Sequence, residues 1–216
     1  MQFLINYLVI FCCVCMFACQ GANRNISQSG DSLDNGNDSV ISQDPSIERN
    51  WVLQTLLNRK SVRNYTDKEV PQDVVEQLLR AGMAAPSSRD RRPWHFIVIS
   101  DKDILENLGG QLKNASCLKD ANKAIVVCGD DQLSDNCWFL DCSAVTQNIL
   151  IAAEAMGLGA VWTAVYPYED RTEVINKAFG LAANIHPLSI IPLGYPSEEV
   201  KAKDKYDESR IHYDKW

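Results

Sequence analysis

The stretch from Trp138 to Met156 constrains the fold more than any other part of the chain. Ala144, Val145, Ile149, Ala152, Ala153 and Met156 line much of a helical circumference, and the small residues among them allow close packing of other helices. A helix this apolar belongs at the centre of a domain, and the rest of the chain must supply the elements that cover it. Gly157-Leu158-Gly159 gives it a C-terminal stop. Strands are expected over Trp94–Ile99, Ala124–Cys128, Ala160–Val165 and Leu188–Leu193. The second of these is a continuous apolar run, as in a strand covered on both faces. Helices are expected from Pro71 to about Ala84, with Val74, Val75, Leu78, Leu79 and Gly82 on one face, from Lys102 to Leu112, and from Glu169 to Phe179 before Gly180. Helices and strands mix without regular βαβ alternation, so the class is α+β. With 216 residues, 46% of them apolar, there is material for one well-buried domain.

The N-terminal part has a different character. Phe3 to Ala18 is almost wholly apolar, short for a membrane span and suited to the apolar region of an export signal. Met16-Phe17-Ala18-Cys19 resembles the lipobox of bacterial lipoproteins, in which the Cys becomes the lipidated first residue. It departs from that pattern in having no preceding Lys or Arg and in the bulk of Met16-Phe17. Residues 20–45 are rich in Ser, Asn, Gly, Gln and Asp, have no period, and cannot offset their ordering entropy by burial. The expected organisation is a signal over 1–18, a flexible tether over 19–45 and a folded domain over 46–216. Asp44-Pro45 and the Ile47, Trp51, Leu53, Leu56, Leu57 stripe open the domain with a helix. The expected location is the bacterial cell envelope, with a lipid anchor on Cys19; the alternative is the cytoplasm.

Net charge is −7, of which residues 20–44 carry −3 and the rest −4. That balance argues against nucleic acid as a partner. Four of the eight cysteines lie within the first 19 residues. The others, Cys117, Cys128, Cys137 and Cys142, form no CxxC pair, so no metal site is expected. There is no GxGxxG after a strand, no P-loop, no GxSxG and no HExxH. His95, His186 and His212 read as structural residues. An enzyme of this composition depends on a cofactor for its chemistry, and no side chain is assigned as catalytic.

One cluster suits an anionic group. Arg59-Lys60-Ser61-Val62-Arg63-Asn64-Tyr65 places three cations and a hydroxyl within five residues at the end of the first helix. Such a set suits a phosphate, but by itself it reads first as a solvated basic helix end that complements the helix dipole. A second notable segment, Pro86-Ser87-Ser88-Arg89-Asp90-Arg91-Arg92-Pro93-Trp94, is a loop bounded by prolines and carrying three arginines.

These two stretches, together with Gly157-Leu158-Gly159-Ala160-Val161-Trp162 and Leu193-Gly194-Tyr195-Pro196, occur in the order and spacing of the nitroreductase family, which the chain resembles from about Ile47 to Trp216. The resemblance implies a nitroreductase-like fold: a mixed, mostly antiparallel central sheet flanked by helices, in a homodimer. It implies flavin mononucleotide (FMN) as cofactor, with Arg59, Lys60 and Ser61 on its phosphate and Lys203 and Lys205 closing on the same group. Arg63 would face N1 and the C2 carbonyl of the ring. Pro86, Ser87, Ser88 and Asp90 match the loop that reaches the neighbouring subunit's flavin, and Thr163, Ala164 and Val165 match the backbone beside N5. The implied reaction takes electrons from NAD(P)H and passes them to a small acceptor, a nitroaromatic or quinone, in ping-pong fashion. Two alternatives stand beside it: an exported flavin- or ligand-binding lipoprotein with little turnover, and another flavin reaction such as dehalogenation or dehydrogenation. Asp90 replaces the family's usual Asn, Arg92 its Gln, and Ala164-Val165 stand where some members have Glu-Gly.

Overall fold

Helix α1, Trp51–Asn58, starts where the Asn50 side chain accepts the Val52 and Leu53 N–H groups at 3.1 and 3.3 Å, satisfying donors that a first turn leaves open. The structure is a computed structural model and describes residues 50–216. The expected export signal, Cys19, the tether and the Asp44-Pro45 helix start lie outside the described residues.

Helix α2, Gln72–Met83, follows Pro71 and buries Val75, Leu78 and Gly82. Strand β1 is Trp94–Ile99, helix α3 is Lys102–Gln111 and strand β2 is Lys123–Asp130. The long helix α4 spans Trp138–Ala155. Two short strands follow, β3 at Gly159–Ala160 and β4 at Thr163–Ala164, then helix α5, Glu169–Phe179, and strand β5, Ile185–Gly194. Helix α5 carries Glu169 and Asp170 in its first turn and Lys177 in its last, matching the helix dipole, and Gly180 ends it at φ 62°.

The sheet order is β1-β2-β5-β3, with β4 also on β5, and every pairing among the described residues is antiparallel. The expected Ala160–Val165 strand is thus split in two. Gly159 faces Gly194 and Ala160 faces Leu193, while Thr163 faces Ile190 and Ala164 faces Ser189. Both pieces keep one register, which puts Val161 opposite Pro192. Proline has no N–H to give the ladder, so pairing lapses there and resumes beyond it.

Alternation across the sheet explains the continuous apolar strands. Ile125, Val127, Ile191 and Leu193 pack with α2 and α4, whereas Ala124, Val126, Cys128 and Ile190 pack with α3 and α5. Helix α4 buries Trp138, Asp141, Cys142, Val145, Thr146, Ile149, Leu150 and Ala153, a single broad face at helical spacing. Its other side, including Phe139, Ala144, Ile151 and Ala152, is only half-buried, and Leu140 is 59% exposed. Helix α1 buries none of its residues; Trp51 is 71% exposed. The C-terminal segment from Val200 has no regular structure beyond a 3-10 turn at Glu208–Arg210, and Tyr206, Tyr213 and Trp216 are exposed. Cys117, Cys128, Cys137 and Cys142 are all free thiols.

Candidate functional site

The basic stretch after α1 is fixed to the sheet by its two apolar members. The Val62 N–H donates to the Ala160 carbonyl at 3.0 Å, and the Tyr65 hydroxyl turns back to the Val62 carbonyl at 2.7 Å. Both side chains are buried. Glycines make room for them. A Cβ on Gly159 would sit 2.6 Å from Val62 Cγ1, and one on Gly194 would sit 2.8 Å from Tyr65 Cβ. With Val62 and Tyr65 turned inward, Arg59, Lys60 and Ser61 are half-buried and Arg63 is exposed.

The cations differ in their engagements. Lys60 Nζ donates to Glu154 Oε1 at 2.6 Å, so an acid from the last turn of α4 already holds that charge. The side chains of Arg59 and Ser61 make no hydrogen bond or ion pair with another described residue. Arg63 lies close enough to Tyr65 and Cys117 for its charge to oppose the upward shift that burial gives both groups, a large one at Tyr65. Arg59, Ser61 and Arg63 are therefore a free fork, a free hydroxyl and a surface cation, a donor set that fits a phosphate and an anionic ring edge. A polar cleft lined by Asn64, Tyr65, Asp67, Lys102, Lys119 and Asp120 adjoins this stretch, but its volume of about 190 Å³ is too small for FMN.

The tail leaves from beside the cluster. Tyr65 bridges to Pro196, and the Ser197 N–H donates to the Asn64 carbonyl at 3.1 Å. Lys203 and Lys205 follow in the exposed tail. Within one protomer, no hydrogen bond or ion pair among the described residues joins them to Arg59, Lys60 or Ser61.

Thr163 and Val165 are buried and Ala164 half-buried. The Val165 side chain belongs to the core between the sheet and helices α3 and α5, so at this residue only the backbone is available to a ligand. Two contacts fix that backbone. A bulge in β5 lets the Leu188 carbonyl accept both the Val165 and Tyr166 N–H groups, at 2.9 and 3.0 Å. The Arg171 guanidinium, stacked over the Tyr168 ring, donates to the Ala164 carbonyl at 2.8 Å.

The loop at 86–92 lies elsewhere. Pro86 and Asp90 are exposed, Ser87 and Ser88 half-buried. The Ser88 N–H donates to Asp141 Oδ1 at 2.9 Å, and the Arg92 N–H donates to Ser87 Oγ at 3.0 Å. Asp90 accepts from the Arg92 guanidinium at 2.9 Å, so the two departures from the family pattern are partners. Lys60 is tied to Glu154 near one end of α4 and Ser88 to Asp141 near the other. Thirteen residues of helix separate these anchors, about 20 Å. One protomer therefore holds the Arg59–Arg63 cluster and the Pro86–Asp90 loop at opposite ends of α4, with Thr163–Val165 between them: Ala164 pairs with Ser189, whose hydroxyl lies 3.0 Å from that of Thr146.

The sequence profile of the nitroreductase family matches residues 56–131 and 110–195, overlapping segments that together span more than half of the chain. The chain belongs to the nitroreductase family. A relative from Methanothermobacter thermautotrophicus, provisionally named NADH dehydrogenase/NAD(P)H nitroreductase, is 44% identical over 175 residues, covering 80% of this chain and 92% of its own. A crystal structure from Parabacteroides distasonis, with the same provisional name, shares 54% identity at TM-score 0.76 and covers 77% of this chain and 99% of its own. A family member from Desulfovibrio desulfuricans, solved in complex with FMN, shares 27% identity at TM-score 0.68 over 77% of this chain and 97% of its own.

Asp141, Glu154 and Arg171 were not among the residues expected at the site. The first two carried a signal: they are the only acids in the apolar Trp138–Met156 run. Arg171 carried none, because its role depends on a carbonyl seven residues away along a turn.

Proposed function

We propose that this protein is an FMN-dependent oxidoreductase that draws electrons from NAD(P)H and reduces small acceptors such as nitroaromatics or quinones, working as a homodimer. The observation that carries this reading is the separation of the Arg59–Arg63 cluster from the Pro86–Asp90 loop, anchored at opposite ends of α4. A second copy brings a Pro86–Asp90 loop to each Arg59–Arg63 cluster, with Lys203 and Lys205 closing on the phosphate. FMN, when bound, supplies hydride acceptance from the nicotinamide and electron delivery to the acceptor. The chain's own residues bind and orient. Arg59 and Ser61 hold the phosphate, Arg63 supplies positive charge at the ring edge, and the Thr163–Val165 backbone, immobilised by Leu188 and Arg171, walls the N5 side. Ala164 offers no carboxylate there, so no acidic side chain of this segment faces the acceptor.

Anaerobic titration with NADH and NADPH tests the reading. The purified protein is expected to be yellow and to bleach stoichiometrically with one of the two; a protein that stays colourless with added FMN would refute it. A yellow protein that neither donor bleaches favours a flavin-binding protein of low turnover, the reading that the export-signal resemblance of residues 1–19 supports. We further propose that Cys19 carries a lipid anchor to the cell envelope. Fatty-acid labelling that persists in Cys19→Ala would remove that proposal.

A further inference from the structure

Asp141 is buried, 6% exposed, and no lysine or arginine among the described residues pairs with it. Both carboxylate oxygens are used. Oδ1 accepts the Ser88 N–H at 2.9 Å and Oδ2 accepts the Ser134 hydroxyl at 3.0 Å. The place of Asp141 in the first turn of α4 suits a carboxylate, and the bonds it accepts tie down what lies against it. It holds the base of a strained loop. Arg89, Asp90 and Arg92 have φ of 54°, 53° and 49°, left-handed values that side chains with a Cβ resist. The loop's other bonds are local or exposed: Arg92 N–H to Ser87 Oγ, the Arg92–Asp90 pair, Asp90 N–H to the Ser87 carbonyl and Arg91 N–H to the Ser88 carbonyl, with Arg91 also 3.8 Å from exposed Asp135. Asp141 is the tie that reaches into the core, and such conformations persist only where their surroundings over-determine them.

We propose that Asp141 is a positioning residue, locking the Ser87–Arg92 loop in the shape with which it meets the neighbouring subunit's flavin. The proposal rests on the reading that this loop serves that flavin. Without the Asp141 acceptor the loop relaxes toward ordinary backbone angles, and Arg89 and Arg91 become good protease sites; Arg92 precedes Pro93 and stays protected.

The test uses the full chain carrying its flavin, in wild-type, Asp141→Ala, Asp141→Asn and Asp141→Leu forms. Limited trypsinolysis mapped by mass spectrometry reads the loop, and flavin dissociation with visible circular dichroism reads the cofactor. Asp141→Ala is expected to speed cleavage after Arg89 and Arg91 about tenfold, with no matching rise at Lys113 or Lys177, and to weaken flavin retention about tenfold. Asp141→Asn keeps an oxygen for the Ser88 N–H and an amide for Ser134, and is expected to restore both readouts. If Asp141→Ala does not fold, Asp141→Leu fills the same space without a buried charge and is expected to cleave faster at the loop while melting close to wild type. Unchanged loop cleavage in the folded variants, or Asp141→Asn behaving as Asp141→Ala, overturns the role given to Asp141. Faster loop cleavage with unchanged flavin affinity and dichroism overturns instead the reading that the loop touches flavin.

Discussion

Arg59 and Lys60 are neighbours in the chain and unequal in the fold. Lys60 is engaged by Glu154 at 2.6 Å, with both side chains largely shielded, whereas Arg59 has no partner among the described residues. Arg59→Ala is therefore expected to weaken flavin retention by about tenfold or more, the usual loss for a charge-assisted hydrogen bond, measured by fluorescence on flavin release. Lys60→Ala should do the reverse. It leaves Glu154 unpaired and costs about 1–3 kcal/mol in thermal unfolding, with a smaller effect on flavin. Equal flavin losses in the two variants would contradict this division. A thiol experiment belongs at the same scale. Burial pushes Cys128 and Cys142 up to about 12, so at pH 8 only about one thiol in ten thousand is ionised. Iodoacetamide at pH 8 should label neither in the folded protein and both after denaturation; labelling of Cys128 before unfolding would contradict the burial.

At the scale of elements, the site depends on how closely the Arg59–Tyr65 stretch lies on the sheet. Gly159 is the point of closest approach, since an added Cβ would meet Val62 Cγ1 at 2.6 Å and its Cβ at 2.9 Å. Gly159→Ala should lift the stretch off β3 and break the Val62-to-Ala160 bond. The expected loss is about 1–3 kcal/mol of stability, with weaker flavin retention although no flavin contact has been removed. Combining it with Val62→Ala should recover part of the flavin retention, because the obstructing methyl is gone. Additive losses in the double variant would show that the two positions do not collide. Helix and strand placement was legible in the sequence wherever periodicity and punctuation coincided: α5 between its acidic start and Gly180, and β2 as an apolar run covered on both faces. The break at Val161–Trp162 was not legible, because it arises from a proline 31 residues away that only register places opposite Val161.

The whole molecule carries apolar surface that one protomer does not cover. Trp51, Val52, Leu53, Leu56 and Leu57 are exposed on α1, Leu140 on α4, and Tyr206, Tyr213 and Trp216 on the tail. Exposed large apolar side chains in this number mark an interaction site, and a second copy that also completes two flavin sites satisfies both needs. Sedimentation should show a dimer, with a melting temperature that rises with protein concentration. Ending the chain after Asp204, which removes Lys205 and the aromatic tail, should weaken both the dimer and flavin retention. A fully flavin-loaded monomer would be incompatible with a shared site.

By itself the sequence determined the element order, the central helix, the sheet's buried strands and the residue types that mark a nitroreductase, because each is written in local periodicity, turn chemistry and motif spacing. The tertiary structure alone decided which cations remain available. A salt bridge between residues 60 and 154, a loop tied to residue 141 and a backbone pinned by residue 171 depend on long-range or turn geometry that no local pattern encodes. It also decided that Glu154 and Asp141, which anchor the Arg59–Arg63 cluster and the Pro86–Asp90 loop, lie about 20 Å apart along one helix, a consequence of helical rise that spacing in sequence does not reveal.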